Sequence, residues 1–456
     1  MDKYALYTGN NVDVMRTLAD NSIDSIVTDP PYGLSKEADM AEVLQCWLAG
    51  NEYKHNSKGF MGKEWDSFVP SPMFWKECYR VLKPGGHVLS FFGTRTYDIG
   101  VMAMRLAGFE IRDQLCYAYG SGFPKGLNIG KAVDKYYGYN TNLKPSIEPI
   151  CLARKPLEKG LSIVENVLKW GTGAINIDGC RVGSDEVYTN ASKTLGNGII
   201  YGASKPRQKS EIRIGRYPSN LLLDGSDEVK RMFPNTTSGG ADGNRTKRSE
   251  FFFKGLNPLN TKGGLPSSSG SATRYFANLG YDLIDLLDNP DIDIDSIDPL
   301  FYTSKASPGE RNAGLKQRKT VNADECSLFG QDVNTDVKQS RPSGVLFDKT
   351  KQNPLEYCKT DDTFEAKQTT DGNSVPRLNT HPTVKPVRLM QWLVRLITPP
   401  GSICLDPFNG SGSTGIGCLL NRDIKYIGID MDAEYIRISN ARLLHWSKVA
   451  KRLGYV

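Results

Sequence analysis

The stretch Ser402–Asp430 leaves this chain few folds to choose from. Ser402-Ile403-Cys404-Leu405-Asp406 is short and apolar and reads as a buried strand. Pro407-Phe408-Asn409-Gly410-Ser411-Gly412-Ser413-Thr414 then turns into a helix expected to run through Asn421. Lys425-Tyr426-Ile427-Gly428-Ile429-Asp430 reads as the next strand, and Ala433–Leu444 as the next helix. A β-α-β unit of this kind implies a sheet with helices on its faces. Gly410 and Gly412 permit a tight turn and let backbone N–H groups approach a ligand closely. Asp430 follows Gly410 by twenty residues, which puts a carboxylate at the end of the adjacent strand, able to hold both hydroxyls of a ribose. The turn therefore suits a nucleoside-bearing cofactor. Dinucleotides use a related arrangement, so the glycines alone do not name it. A mere packing turn leaves the acid unexplained.

A second feature stands near the other end of the chain. Ile23-Asp24-Ser25-Ile26-Val27-Thr28 reads as a buried strand, followed by Asp29-Pro30-Pro31-Tyr32-Gly33. Two prolines stop the strand because neither can donate a ladder hydrogen bond. A carboxylate, a free carbonyl and an aromatic ring are left at its carboxyl end, where open α/β sheets bind ligands. The Asp29 carboxylate and the Pro30 carbonyl only accept hydrogen bonds. Aimed at the two N–H groups of an exocyclic base amine, they would hold it with its lone pair available. The Tyr32 ring could stack on the base, a contact worth ~1–3 kcal/mol. On the tetrapeptide alone, a proline-rich turn capped by aspartate remains the alternative.

Between these features the first third alternates strand and helix. Strands are expected at 4–9, 87–92 and 109–118, and helices at 12–18, 72–82 and 97–107, with Asn10 or Asn11 as N-cap of the first. Residues 34–66 read as a polar loop with some helix at 38–49. Residues 147–153 form a further strand, placed at an edge because of Pro149. From about 155 to 380 polar residues and glycine dominate, with short apolar pieces such as Asn220-Leu221-Leu222-Leu223. Arg245-Lys247-Arg248 beside Phe251-Phe252-Phe253, and the stretch Lys205–Lys209, suit contact with nucleic acid or a solvated loop equally. The aspartates of 282–298 lack the glycine and glutamate of a calcium loop and read as a solvated surface, and 320–375 as a polar, disordered stretch. Val387–Ile397 is an amphipathic helix after a rigid loop, Thr380-His381-Pro382-Thr383-Val384-Lys385-Pro386.

Nine cysteines form no Cys-x-x-Cys pair, so no metal site is expected, and they suit small core residues in a reducing cytoplasm. No apolar run approaches the ~18 residues of a membrane span, so no membrane partner is expected. A net charge of +6 permits a polyanionic partner without demanding one.

Asp-Pro-Pro-Tyr at 29–32 and Phe-x-Gly-x-Gly at 408–412, in that order, resemble the β-group DNA amino-methyltransferases. The segment 381–386 resembles what precedes the cofactor turn in that group, and the middle resembles bacteriophage and prophage members loosely. The resemblance implies S-adenosylmethionine as cofactor. It implies a Rossmann-like fold with a seven-stranded mixed sheet, helices on both faces and a large variable insert. It divides the chain into a catalytic half (1–155), a target-recognition insert (156–377) and a cofactor-binding half (378–456). Asp406, Phe408, Gly410 and Gly412 would line the methionine and ribose part of the cofactor and Asp430 the ribose hydroxyls. Thr383 and Lys385 would lie close by, and Asn10 and Thr414 belong to the same set. Asn10 is a departure, because relatives often carry an acid there. The target would be an adenine flipped from double-stranded DNA onto Asp29, Pro30, Pro31 and Tyr32. A homodimer is left open, and no partner restriction nuclease is implied. Cytosine-C5 chemistry needs a nucleophilic cysteine, usually in a Pro-Cys pair, and the chain has none; Glu165-Asn166-Val167 mimics that family's pattern only by chance. Cytosine-N4 methylation uses the same amine chemistry, but relatives doing it more often have serine where Asp29 stands. A catalytically silent DNA-binding protein and a nicotinamide enzyme are the remaining alternatives.

Overall fold

The computed structural model describes residues 3–55, 66–120, 122, 126–188, 212–238, 268–279, 308–317, 363–364, 379–381 and 383–455. The basic stretches at 205–209 and 245–248, the acidic run 282–298 and most of 320–375 lie outside the described residues. Among the described residues, nine strands form the main sheet. In chain order they are β1 (Tyr4–Thr8), β2 (Ile23–Thr28), β3 (Leu82–Phe91), β4 (Glu110–Ala118), β5 (Ile147–Arg154), β6 (Leu221–Leu223), β7 (Ala277–Asn278), β8 (Ile403–Asp406) and β9 (Lys425–Asp430). Across the sheet the order is β1-β9-β8-β2-β3-β5-β4-β6-β7. Only β5 runs antiparallel to its neighbours.

The first seven positions are the expected seven-stranded sheet; the count itself is corrected to nine. The apolar piece around Leu222 is strand β6, parallel to β4, and β7 adds to β6 in turn. Without them β4 would present an open row of backbone donors and acceptors. A second correction concerns residues 147–153. They form an interior strand, between β3 and β4, and not an edge. Pro149 is tolerated because it falls one residue beyond the last β3 pair, Phe91 opposite Ile150, and its carbonyl still accepts from Phe92 N–H at 3.0 Å.

The strands alternate with period two between two apolar layers. Ile26, Val88 and Leu405 face one layer, built with α1 (Asn11–Arg16), α2 (Met40–Leu48), α3 (Pro72–Val81) and α4 (Tyr97–Leu106). Val27, Leu89 and Cys404 face the other. After α5 (Ile163–Trp170), α6 (Asp227–Arg231) and α7 (Pro308–Asn312), that second layer is completed by α8 (Val387–Ile397), α9 (Ser413–Leu419) and α10 (Ala433–Arg452). Helix α3 forms where Ser71 caps its first turn, Pro72 fits that turn, and Phe74, Trp75, Cys78 and Val81 share the buried side. Helix α8 is buried on almost every side, with only Arg388 and Arg395 partly exposed. Its N-terminus has no side-chain cap of its own. Glu310 of α7 supplies one, accepting from Val387 N–H at 2.7 Å, and Arg311 donates to the His381 carbonyl at 2.9 Å. No described helix is long and apolar enough to cross a membrane.

Strands β2 and β8 are neighbours, with Ser25 opposite Cys404 and Ile26 opposite Leu405. From β8 the chain proceeds to β9 on one side; from β2 it proceeds to β3 on the other. The strand order reverses between them, so their carboxyl ends flank the crevice in which open sheets bind ligands.

Candidate active site

The tetrapeptide 29–32 leaves the end of β2 and is locked by residues from two loops. Asp66 Oδ1 accepts from Tyr32 N–H at 2.9 Å and from Gly33 N–H at 3.2 Å. The Thr96 hydroxyl donates to the Tyr32 carbonyl at 2.5 Å. Pro30 is buried. Burial, reinforced by the carboxylates of Asp29 and Glu148, holds the Tyr32 phenol well above its ordinary pKa, so it stays protonated at neutral pH.

Lys385 reaches into this turn from the loop before α8. Its ammonium lies 2.9 Å from Asp29 Oδ2 and 3.2 Å from Glu148 Oε2, and it donates to Tyr32 Oη at 2.9 Å. Burial alone would lower the Lys385 pKa, but the two carboxylates outweigh it and raise it. Lys385 is therefore a fixed cation. The other oxygen of Asp29, Oδ1, is buried and has no hydrogen-bond partner among the described residues.

A second group of side chains forms at the carboxyl ends of β8 and β9. Asp406 accepts from the Thr28 hydroxyl at 2.7 Å, the Thr414 hydroxyl at 2.6 Å and the Phe408 N–H at 3.1 Å. Burial nonetheless pushes its pKa up to about 7, against those donors. Asp430 accepts from Gly410 N–H at 2.8 Å through one oxygen and from Asp432 N–H at 2.9 Å through the other. Burial lifts it to about 6. The glycine turn is braced from below: Asn409 Oδ1 accepts from the Tyr426 hydroxyl at 2.9 Å and from the Ser439 hydroxyl at 3.1 Å. Gly412 has φ +78°, and a Cβ there would lie 2.3 Å from Ser439 Oγ. The buried Arg442 guanidinium donates to the Ser411 carbonyl at 2.5 Å.

The structure thus joins Asp29, Tyr32 and Lys385 in one cluster, Asp406 with both Thr414 and Thr28 in a second, and Gly410 with Asp430. Phe408 packs its ring 5.0 Å from that of Phe74. Asn10 caps α1, its side chain accepting from Val12 and Asp13 N–H, while Asn11 donates to the Pro407 carbonyl at 3.2 Å. Thr383 is exposed, and its N–H donates to His381 Nδ1 at 3.3 Å. Thr28, Asp66, Glu148 and Asn409 were not singled out by the sequence, and only Asn409 stands within a recognised turn. Among the described residues no three His, Cys, Asp or Glu side chains could hold a metal ion.

The donor set fits a nucleoside with an attached cation. Each Asp430 oxygen is held by one backbone N–H and keeps a further lone pair, which matches two adjacent ribose hydroxyls. Asp406 provides a second carboxyl group on the neighbouring strand.

Comparison with known proteins agrees. Type II methyltransferase M.HindIII of Haemophilus influenzae is 26% identical over 203 residues, 38% of this chain and 64% of that protein. Type II methyltransferase M.SfiI of Streptomyces fimbriatus is 22% identical over 95% of this chain and 89% of its own length. The chain thus spans less than two thirds of M.HindIII, and it matches several other curated relatives over 23–27% of their length. Among solved structures, the PvuII DNA methyltransferase (cytosine-N4-specific) aligns at TM-score 0.40 and 12% identity, covering 100% of this chain and 94% of that one. The family model described as DNA methylase, covering N6 and N4 methyltransferases, matches residues 23–441. S-adenosylmethionine is accordingly the expected cofactor, and the chain belongs to the N6/N4 DNA methylase family.

Proposed function

We propose that this protein methylates the N6 amine of an adenine flipped out of double-stranded DNA, with S-adenosylmethionine as donor. The observation that carries the reading is the Asp29 carboxylate. One oxygen is held by Lys385, and the other is buried at the crevice with no partner among the described residues. A buried acceptor without a donor is costly and calls for a ligand N–H. An aspartate here, where cytosine-N4 relatives more often have serine, favours adenine.

When bound, S-adenosylmethionine supplies an electrophilic methyl group on a positively charged sulfur. The chain's own residues do the rest. Asp29 Oδ1 and the Pro30 carbonyl accept the two amine N–H groups and leave the nitrogen lone pair free. Pro31 fixes the turn and Tyr32 stacks on the base. As the nitrogen takes the methyl group it loses one proton, and Asp29 Oδ1 is placed to receive it. Asp430 holds the ribose hydroxyls. Asp406, Thr414, Phe408, Gly410 and Gly412 line the rest of the cofactor, with Asn10 and Thr383 at its rim. Orientation of the two reactants supplies much of the rate. Residues 1–155 and 378–456 form the two halves of the catalytic unit, and 156–377, beyond the pieces that complete the sheet and hold α8, read the DNA sequence.

The test is direct. Unmethylated genomic DNA is incubated with the protein and S-adenosylmethionine, digested to nucleosides and weighed by mass spectrometry. N6-methyladenine is expected, and Asp29→Ala should abolish it while cofactor affinity stays within about twofold. N4-methylcytosine would overturn the choice of base. No methylated nucleoside, or full activity in Asp29→Ala, would overturn the site.

A further inference from the structure

We propose that Glu148 is a positioning residue for methyl transfer: it anchors the Lys385 ammonium so that only one Asp29 oxygen is occupied and the other stays open to the target amine. The proposal rests on the functional reading above and adds a residue to it.

An ammonium has three N–H donors. Those of Lys385 have three acceptors at hydrogen-bond distance: Asp29 Oδ2 at 2.9 Å, Tyr32 Oη at 2.9 Å and Glu148 Oε2 at 3.2 Å. The three come from two separate parts of the fold. Asp29 and Tyr32 follow β2; Glu148 is the second residue of β5, opposite Tyr117 of β4. The cation is thus a tripod with every leg planted. Its side chain is 11% exposed, that of Asp29 18% and that of Glu148 27%, so water screens the cluster little.

Without the third leg, one N–H would lack an acceptor in a buried setting. The charge then left within reach is the same Asp29 carboxylate, whose Oδ1 has no partner among the described residues. The ammonium would then lie across both oxygens and occupy the acceptor the amine needs. Glu148 prevents this by accepting that N–H at 3.2 Å. The tripod also fixes the Tyr32 hydroxyl and hence the plane of the ring offered to the base. A single cation between two carboxylates leaves the cluster with one net negative charge, suited to a nitrogen that becomes positive as it is methylated.

The test uses the full chain with unmethylated genomic DNA and compares single-turnover rate, S-adenosylmethionine Kd and melting temperature. Glu148→Gln keeps shape and loses charge; Glu148→Ala removes the anchor; Glu148→Asp keeps the charge on a shorter arm. The expected result is a rate loss of roughly tenfold or more in Glu148→Gln and Glu148→Ala, with Kd within about twofold and partial recovery in Glu148→Asp. Wild-type rates in both Glu148→Gln and Glu148→Ala would overturn the proposal. So would a rate loss in Glu148→Gln that Glu148→Asp does not relieve, or one matched by loss of cofactor binding, since either marks a structural role. Asp29→Ala is assayed alongside: if it remains active the reading of the site fails, whereas if it is dead and Glu148→Gln is normal only the tripod fails.

Discussion

Thr28 and Asp406 are 378 positions apart in the chain, yet the Thr28 hydroxyl donates to Asp406 Oδ1 at 2.7 Å. The bond crosses from the carboxyl end of β2 to that of β8, the two strands between which the sheet order reverses. It fastens the turn carrying Asp29 to the turn carrying Gly410. Thr28→Val keeps the shape and removes the donor, leaving a buried carboxyl oxygen with only the Phe408 N–H. We expect a stability loss of ~1–3 kcal/mol in urea unfolding, together with weaker cofactor binding. An unchanged unfolding midpoint would show that the bond contributes nothing.

Asp406 gives a pH prediction. Its folded pKa, raised to about 7 by burial, lies above the ordinary carboxyl value. A group raised in this way favours the fold while protonated, and the benefit is lost as pH rises from the unfolded pKa near ~4 through the folded value. Asp406→Asn never ionises. Its stability relative to the wild type should therefore rise by roughly 2–4 kcal/mol between pH 4 and pH 8. Unfolding curves at the two pH values that differ by the same amount in both proteins would contradict the burial argument.

Asp430→Ala should weaken S-adenosylmethionine binding by ~10- to 100-fold, the loss of two hydroxyl hydrogen bonds. It should also free the Gly410 and Asp432 N–H groups that the carboxylate now holds. Calorimetry reads the dissociation constant directly, and an unaltered value removes the ribose assignment.

Gly412→Ala places a side chain where φ is +78° and where Ser439 Oγ would sit 2.3 Å away. A destabilisation of ~1–3 kcal/mol is expected from strain and overlap. Adding Ser439→Ala removes the hydroxyl and should restore part of it, leaving the backbone strain. If the second change restores nothing, the overlap was not the cause.

What the sequence revealed follows from range. The glycine turn with Asp430, and the strand stopped by Pro30 and Pro31, are local patterns with fixed periods, so they could be read without coordinates. Strands β6 and β7, of three and two residues, are too short to show any period. Pro149 misled because a missing donor matters only where a partner faces it. Glu148 and Asp66 act through contacts with residues far away in the chain and sit in no motif. Glu165-Asn166-Val167 has a plain structural account. Glu165 completes a capping box with Ser162, and Asn166, fully buried, donates to the Pro84 and Thr172 carbonyls at 2.9 and 2.8 Å.

The clasp of Glu310 on the first turn of α8 limits how such a protein can be re-engineered. Exchanging the region between the two catalytic halves for that of a relative would take away Leu221–Leu223 and Ala277–Asn278 from the sheet margin and Glu310 from Val387. A hybrid that kept its own residues 308–312 with the C-terminal half would keep α8, and the lysine loop preceding it, seated. One that imported a foreign α7 would risk a misplaced Lys385.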